Sequence, residues 1–184
     1  MIEIPFALGS GGVALGWFLF RGGVCLKRKH FAWKEEAWQL LFLINLLVIY
    51  RVTFHPFEKL DGQVQPLVFQ WETAWPFRVN WIPFVNLLDY DSGRDLLLNL
   101  IGNTTMFIPT GIITPILYKK WSSFGRTFLM GFSISLVIEL LQLPFAVRAS
   151  DVDDLILNTA GCVLGYGIYA LFLWIKFRMR SKLK

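Results

Sequence analysis

Long apolar runs separated by short polar segments dominate the pattern of the chain. Five runs stand out, at residues 4–20, 37–54, 95–118, 127–145 and 154–175. At 1.5 Å per residue, a helix of about 20 residues crosses the roughly 30 Å hydrocarbon core of a bilayer. The pattern therefore predicts an all-α integral membrane helical bundle of about five transmembrane helices. The first run is short and rich in glycine, so a non-spanning N-terminal segment is the alternative.

Composition agrees with a membrane protein, because 55% of the residues are hydrophobic and only 17% are charged. We predict one membrane domain over residues 1–184. Its core is 37–175, with a first helix and basic loop over 1–36 and a basic cytoplasmic tail over 176–184. The formal net charge is +5, but the basic residues form clusters beside apolar runs. The expected partner is therefore the lipid bilayer and not a nucleic acid.

The distribution of lysine and arginine predicts the orientation. Of 18 such residues, 13 lie in segments 21–34, 119–126 and 176–184, on one side of the predicted spans. The positive-inside rule places that side in the cytoplasm. With five spans, the N-terminus is then outside and the C-terminus is cytoplasmic.

Residues 55–94 form the longest segment that is not predicted to span, because charged residues are scattered through it. The segment also contains Trp71, Trp75, Trp81 and Phe84. Tryptophan prefers the headgroup level of a bilayer, so we predict an aromatic-rich interfacial outer loop. The loop would serve either as an aromatic anchor or as a lid over a lipid or ligand site.

A carboxylate lies inside the fourth apolar run. Glu139 is followed by Gln142 and preceded by Ser135, at spacings that place all three on one helical face. Ionisable groups within a span are expensive and normally face a bundle interior or a wet cavity. Two interpretations stay open. Glu139 is either a structural carboxylate satisfied by asparagines of the third run or by Arg148, or a group that binds a ligand or handles a proton.

The third run contributes Asn99 and Asn103, which lie one helical turn apart on a common face. Pro109 and Pro115 interrupt this run, and a kink near Pro109 would free backbone carbonyls within the membrane. Arg148 lies in the connection between the fourth and fifth runs. Its guanidinium could pair with nearby carboxylates or bind a phosphate through two hydrogen bonds.

Acidic residues cluster at the start of the fifth run. Asp151, Asp154 and Asn158 are spaced for one face of a helix, and Ser150 with Asp153 has the spacing of a capping box. Carboxylates in a first turn also favour the positive end of the helix dipole. Capping would explain the aspartates, but not Asn158, which lies two turns into the run.

These polar positions define the candidate site. The binding candidates are Asn99, Asn103, Glu139, Gln142, Arg148, Asp151, Asp154 and Asn158. For catalysis the candidates are Glu139 and Asp154, since no Ser-His or Cys-His dyad and no phosphate-binding loop is evident. The oxygen donors could hold a divalent cation, although the spacing specifies no metal site and two histidines exclude a multi-histidine centre. Gly161 and Gly165 instead predict close helix packing.

Three blocks of the sequence resemble the VanZ-like family of small bacterial membrane proteins. They are Asn80–Phe84, residues 99–111, and the spaced positions Ser135, Glu139, Gln142, Arg148, Asp151, Asp154, Asn158 and Gly161. The resemblance covers about residues 37–175. It implies a multi-pass protein of the bacterial plasma membrane, with a link to low-level teicoplanin resistance and to tolerance of lipoglycopeptides.

The leading hypothesis is an outward-facing polar site that binds an amphiphilic ligand, such as a lipoglycopeptide or a cell-wall lipid, and so contributes to antibiotic resistance or envelope modification. Arg148 would meet an anionic group, and Glu139 with the aspartates would meet cationic groups or a cation. One alternative is a membrane enzyme that acts on a polyprenyl-phosphate or other cell-wall lipid through carboxylates. A second alternative is a small transporter or an accessory subunit.

Overall fold

The computed structural model describes residues 2–28, 31–55, 59–60, 62–70, 72, 79–85, 93–145 and 150–182. Over these ranges the chain is predominantly helical. The helices are α1 Phe6–Arg28, α2 Trp33–Phe54, α3 Gly93–Leu117, α4 Phe124–Gln142 and α5 Val152–Lys182, with a 3₁₀ turn at Lys119–Trp121. The strands are β1 Ile2–Ile4, β2 Lys59–Leu60, β3 Gln63–Val64, β4 Leu67–Phe69, β5 Val79–Asn80 and β6 Ser150–Asp151. The predicted all-α bundle is confirmed.

Four helices of the described chain are long and apolar enough to cross a membrane. They are Trp33–Phe54, Leu96–Leu117, Phe124–Gln142 and Val152–Ser181. Large apolar side chains are exposed along these helices, among them Leu40, Val137 and Leu171. Such exposure would be costly in water, but it is what lipid-facing helices require. The chain is a multi-pass membrane protein.

The first predicted run is helical, but α1 continues to Arg28, so much of the predicted basic loop belongs to this helix. α1 forms a hairpin with α2. At one end β1 pairs antiparallel with β4, which follows α2, and Ile2 lies opposite Phe69. At the other end Arg21 Nη2 lies 2.5 Å from Glu36 Oε1. α1 is not among the four helices that meet the length and composition criteria, so its span stays a prediction.

The C-terminal ends of α4 and α5 differ from the sequence-based prediction. α4 ends at Gln142, three residues before the predicted end of the apolar run. Pro144 explains this, because proline has no amide hydrogen and disfavours helical geometry in the residue before it. α5 continues to Lys182, so the predicted basic tail forms the last turns of that helix.

The chain divides into two compact units. The first contains Met1–Pro83 and Val137–Val152, and the second contains Phe84–Leu136 and Asp153–Lys184. In the second unit, α3 and α5 approach closely at glycines. A Cβ atom on Gly161 would collide with the Thr104 carbonyl, and one on Gly165 would collide with the Ile108 carbonyl. The predicted close packing at these two glycines is confirmed.

The segment 55–94 contains short strands that the hydrophobic pattern did not predict. β2 and β3 form a tight antiparallel hairpin across Gly62, whose φ of 77° suits glycine. β5 pairs in parallel with β6, the strand that directly precedes α5. Trp71 and Trp75, on which the interfacial prediction partly rests, lie outside the described residues.

Candidate functional site

Glu139 is the central polar residue of the first unit. It lies in the last turn of α4, and only 4% of its surface is exposed. Its Oε2 accepts a hydrogen bond from Ser150 Oγ at 3.1 Å and another from the Asp151 backbone N–H at 2.9 Å. Both donors belong to β6, so this short strand connects the carboxylate to the start of α5.

β6 is held by its pairing with β5 in the same unit. Asn80 lies opposite Asp151 in the parallel register. The Asn80 side-chain Nδ2 donates to the Asp151 carboxylate, at 3.3 Å from Oδ1 and 3.4 Å from Oδ2. Its Oδ1 accepts from the Ile82 backbone N–H at 3.3 Å, which is the arrangement of an Asx turn. Glu139, Ser150, Asp151 and Asn80 therefore form one connected hydrogen-bond network, which we call the Glu139 cluster.

Gln142, also predicted as a site residue, has a different partner. Its Nε2 donates to the Thr53 carbonyl at 2.7 Å, at the C-terminal end of α2. Carbonyls in the last turn of a helix have no intrahelical partner, so this bond satisfies a group that would otherwise be buried alone. Gln142 Oε1 is buried without a hydrogen-bond partner among the described residues. Gln142 thus joins α4 to α2 within the first unit.

The predicted Ser150–Asp153 capping box is wrong. α5 begins at Val152, so the cap position falls on Asp151 and Ser150 lies one residue too early. Ser150 instead donates its hydroxyl to Glu139. The Asp153 Oδ1 accepts from the Phe84 backbone N–H at 2.8 Å in the second unit.

The second unit holds the other candidates in two groups. Asn103 Nδ2 donates to Asn99 Oδ1 at 3.2 Å and to Asp154 Oδ1, and these contacts join α3 to the first turn of α5. One turn further along α5, the fully buried Asn158 donates from Nδ2 to Ser135 Oγ at 2.9 Å. Its Oδ1 is buried without a hydrogen-bond partner among the described residues.

A family model described as VanZ/LLP1 matches residues 42–173, which is well over half of the chain. The chain belongs to the VanZ/LLP1 family. The match includes the Glu139 cluster and both polar groups of the second unit, whereas α1 and the basic end of α5 lie beyond it. The predicted family membership is therefore confirmed.

The chain is also similar to Protein VanZ from Enterococcus faecium. The two are 36% identical over 72 residues, which cover 39% of this chain and 44% of that protein. The chain thus matches less than half the length of this VanZ/LLP1 relative. No solved structure matches the chain.

The geometry separates the eight candidates into groups that the spacing alone did not distinguish. Glu139 and Asp151 lie in one network, Asn99, Asn103 and Asp154 in a second, and Asn158 and Gln142 have other partners. Arg148 lies outside the described residues, so its predicted pairing stays a prediction. The described residues contain no group of three His, Cys, Asp or Glu side chains that could hold a metal ion.

Sequence reasoning did not include Asn80 or Ser150 among the site residues. Asn80 was noted only as the first residue of the Asn80–Phe84 block. Asparagine side chains often accept a hydrogen bond from the backbone N–H two residues further on, so asparagine is a common turn residue. That signal could have indicated its structural role, but not its contact with Asp151, which comes from strand pairing 71 residues away.

Proposed function

We propose that this chain is a bacterial plasma-membrane protein that binds an amphiphilic ligand at the Glu139 cluster and thereby contributes to glycopeptide or lipoglycopeptide resistance. The Glu139 cluster would face outward, because the positive-inside rule places the α4–α5 connection on the outer side. The ligand would enter with its polar headgroup at the cluster and its apolar part in the surrounding lipid.

The observation that carries the proposal is the burial of a carboxylate, because only 4% of the Glu139 surface is exposed. The hydrogen bonds from Ser150 Oγ and the Asp151 N–H reach a single oxygen, Oε2. A glutamine carbonyl could accept the same two bonds without placing a negative charge in a span. Burying a carboxylate costs more than burying an amide, and this cost supports a role for Glu139 in binding as well as in structure.

A buried carboxylate in the outer half of a membrane protein favours a cationic group of a ligand. Asp151 adds a second acidic side chain to the same network, oriented by Asn80 Nδ2. Amino groups of a glycopeptide or of a lipid headgroup fit this charge. Arg148 stays a sequence-based candidate for an anionic group of the same ligand.

The experiment that tests the function is the teicoplanin susceptibility of a sensitive Gram-positive host. The host would express the wild type, Glu139→Gln or a Gln142→Ala control, at membrane levels matched by immunoblot. We expect protection by the wild type and by the Gln142→Ala control, and none by Glu139→Gln. Full protection by a well-inserted Glu139→Gln variant would contradict a functional role of the charge.

A further inference from the structure

An apolar turn follows β5 and stands out among the non-helical described residues. Exposed fractions are 76% for Trp81, 64% for Ile82, 54% for Phe84 and 43% for Val85. Exposed apolar residues that occur singly need no explanation, but four within five consecutive positions indicate a contact surface. Pro83 stiffens the middle of this segment, because its ring fixes φ. We call residues 81–85 the apolar turn.

The N-terminal side of the apolar turn is fixed within the first unit. Asn80 is held by strand pairing with Asp151 and by its side-chain contact with the Asp151 carboxylate. The same asparagine accepts from the Ile82 N–H, which sets the direction of the chain as it leaves the strand. Trp81 and Ile82 therefore project from an ordered backbone.

The register of the two strands puts this segment beside the start of a candidate membrane span. Asn80 lies beside Asp151, and the candidate span that starts at Val152 begins one residue later. If this span begins at the membrane surface, Trp81 and Ile82 lie near the depth at which it enters the hydrocarbon core. Tryptophan is enriched at this depth, because its ring is apolar while its indole N–H needs a polar partner.

The C-terminal side of the apolar turn is fixed within the second unit. The Phe84 N–H donates to Asp153 Oδ1 at 2.8 Å, and Asp153 lies in the first turn of α5 with 4% of its surface exposed. Phe84 has a φ of 67°, a left-handed conformation that is rare for a bulky residue. Strain of this kind persists only where the surroundings impose it, and it is concentrated at functional segments.

We infer that Trp81 and Ile82, which belong to the first unit, form a preformed wedge that inserts into the lipid interface of the leaflet where α5 begins. Its partner is the glycerol and upper acyl region of the bilayer phospholipids. Asn80 acts as a positioning residue, since it holds the backbone on the N-terminal side of the wedge. The inference does not depend on the ligand-binding proposal, because it concerns contact with ordinary phospholipid.

The test places an environment-sensitive fluorophore on the wedge. An Ile82→Cys variant of the full chain, carrying Cys25→Ser, is labelled with a nitrobenzoxadiazole probe and reconstituted into phosphatidylcholine vesicles that contain shallow nitroxide lipids. Cys162 is fully buried and can stay. The matched control is Gln63→Cys, an exposed position in β3 of the first unit. We expect several-fold stronger quenching and a bluer emission at position 82 than at position 63.

Equal and weak lipid quenching at both positions would overturn the inference. So would protection of position 82 from aqueous iodide without quenching by nitroxide lipids, because that result means that protein covers the turn. The positioning role is tested by adding Asn80→Ala to the labelled Ile82→Cys variant. We expect a marked loss of lipid quenching at a temperature at which circular dichroism shows the variant to be folded, and unchanged quenching would show that Asn80 does not position the wedge.

Discussion

At the scale of single residues, substitutions of Glu139 distinguish a requirement for a hydrogen-bond acceptor from a requirement for a negative charge. Glu139→Gln keeps an oxygen that can accept from the Ser150 hydroxyl and the Asp151 N–H, whereas Glu139→Ala removes both bonds. We expect the glutamine variant to unfold at a temperature close to that of the wild type. An orphaned buried donor costs about 1–3 kcal/mol, so the alanine variant should be clearly less stable.

Thermal unfolding in detergent, followed by intrinsic fluorescence, measures this difference. If Glu139→Gln were as destabilising as Glu139→Ala, the charge itself would be part of the structural network. A carboxylate at position 139 would then be explained by the structural network alone.

Gln142 was predicted to bind a ligand, but its observed contact is structural, because its side chain bonds to the backbone of α2. Gln142→Ala removes the hydrogen bond to the Thr53 carbonyl and leaves that buried acceptor without this partner. We expect a loss of about 1–3 kcal/mol in unfolding free energy and an unchanged ligand affinity in the folded fraction. Parallel unfolding and binding titrations check this. Weaker ligand binding at an unchanged free energy of unfolding would show that Gln142 belongs to the ligand site.

At the scale of elements, the close packing of α3 against α5 in the second unit depends on glycines, which have no side chain to keep the helices apart. A Cβ on Gly161 would meet the Thr104 carbonyl, but one on Gly167 would meet nothing within 4 Å. We expect Gly161→Ala to cost about 1–3 kcal/mol through overpacking. Gly167→Ala should be neutral or slightly stabilising, because alanine has the higher helix propensity. Comparable melting temperatures for the two variants would contradict close packing at Gly161.

The α1–α2 hairpin depends on an ion pair that is largely shielded from solvent. The Arg21 side chain is 7% exposed and contacts Glu36, whereas Arg28, which contacts Glu35, is 52% exposed. Removing one partner of a buried pair costs about 3–5 kcal/mol, but exposed pairs contribute about 0–1 kcal/mol. We therefore expect Arg21→Gln to lower the melting temperature strongly and Arg28→Gln to leave it almost unchanged. Similarly small changes in melting temperature for the two variants would mean that the Arg21 side chain is solvated.

The helices could be predicted from the sequence because hydrophobic runs of this length have few structural alternatives. The strands could not, since segments of two or three residues carry no periodic signal and form only through pairing with distant partners. The same limit applies to the site. The shared face of Ser135, Glu139 and Gln142 follows from helical spacing, whereas the contacts of Glu139 with β6 depend on tertiary structure. α5 begins at Val152, two residues before the predicted apolar run, so the cap position falls on Asp151 and not on the predicted Ser150.

At the scale of the whole molecule, the open question is whether α1 crosses the membrane. β1 precedes α1 and pairs with β4, which follows α2, so the two helices run antiparallel within the first unit. With 23 residues, α1 is about 35 Å long, which is enough to span. If α2 crosses the bilayer, the hairpin favours a crossing α1 and an external N-terminus.

A membrane-impermeant maleimide on intact cells tests this topology. We expect a Glu3→Cys variant that carries Cys25→Ser to react from outside, and the native Cys25 to react only after permeabilisation. A Glu3→Cys thiol that reacts only after permeabilisation would show that α1 does not cross.

Ligand binding by the Glu139 carboxylate can be measured directly. The most direct measurement is an equilibrium titration of teicoplanin against the purified protein in lipid nanodiscs, with wild type and Glu139→Gln side by side. We predict saturable binding to the wild type and an affinity at least about tenfold lower in the variant, because an ion pair in a low-dielectric site contributes 1.4 kcal/mol or more. Equal affinity of the two proteins, or no saturable binding to the wild type, would contradict the account.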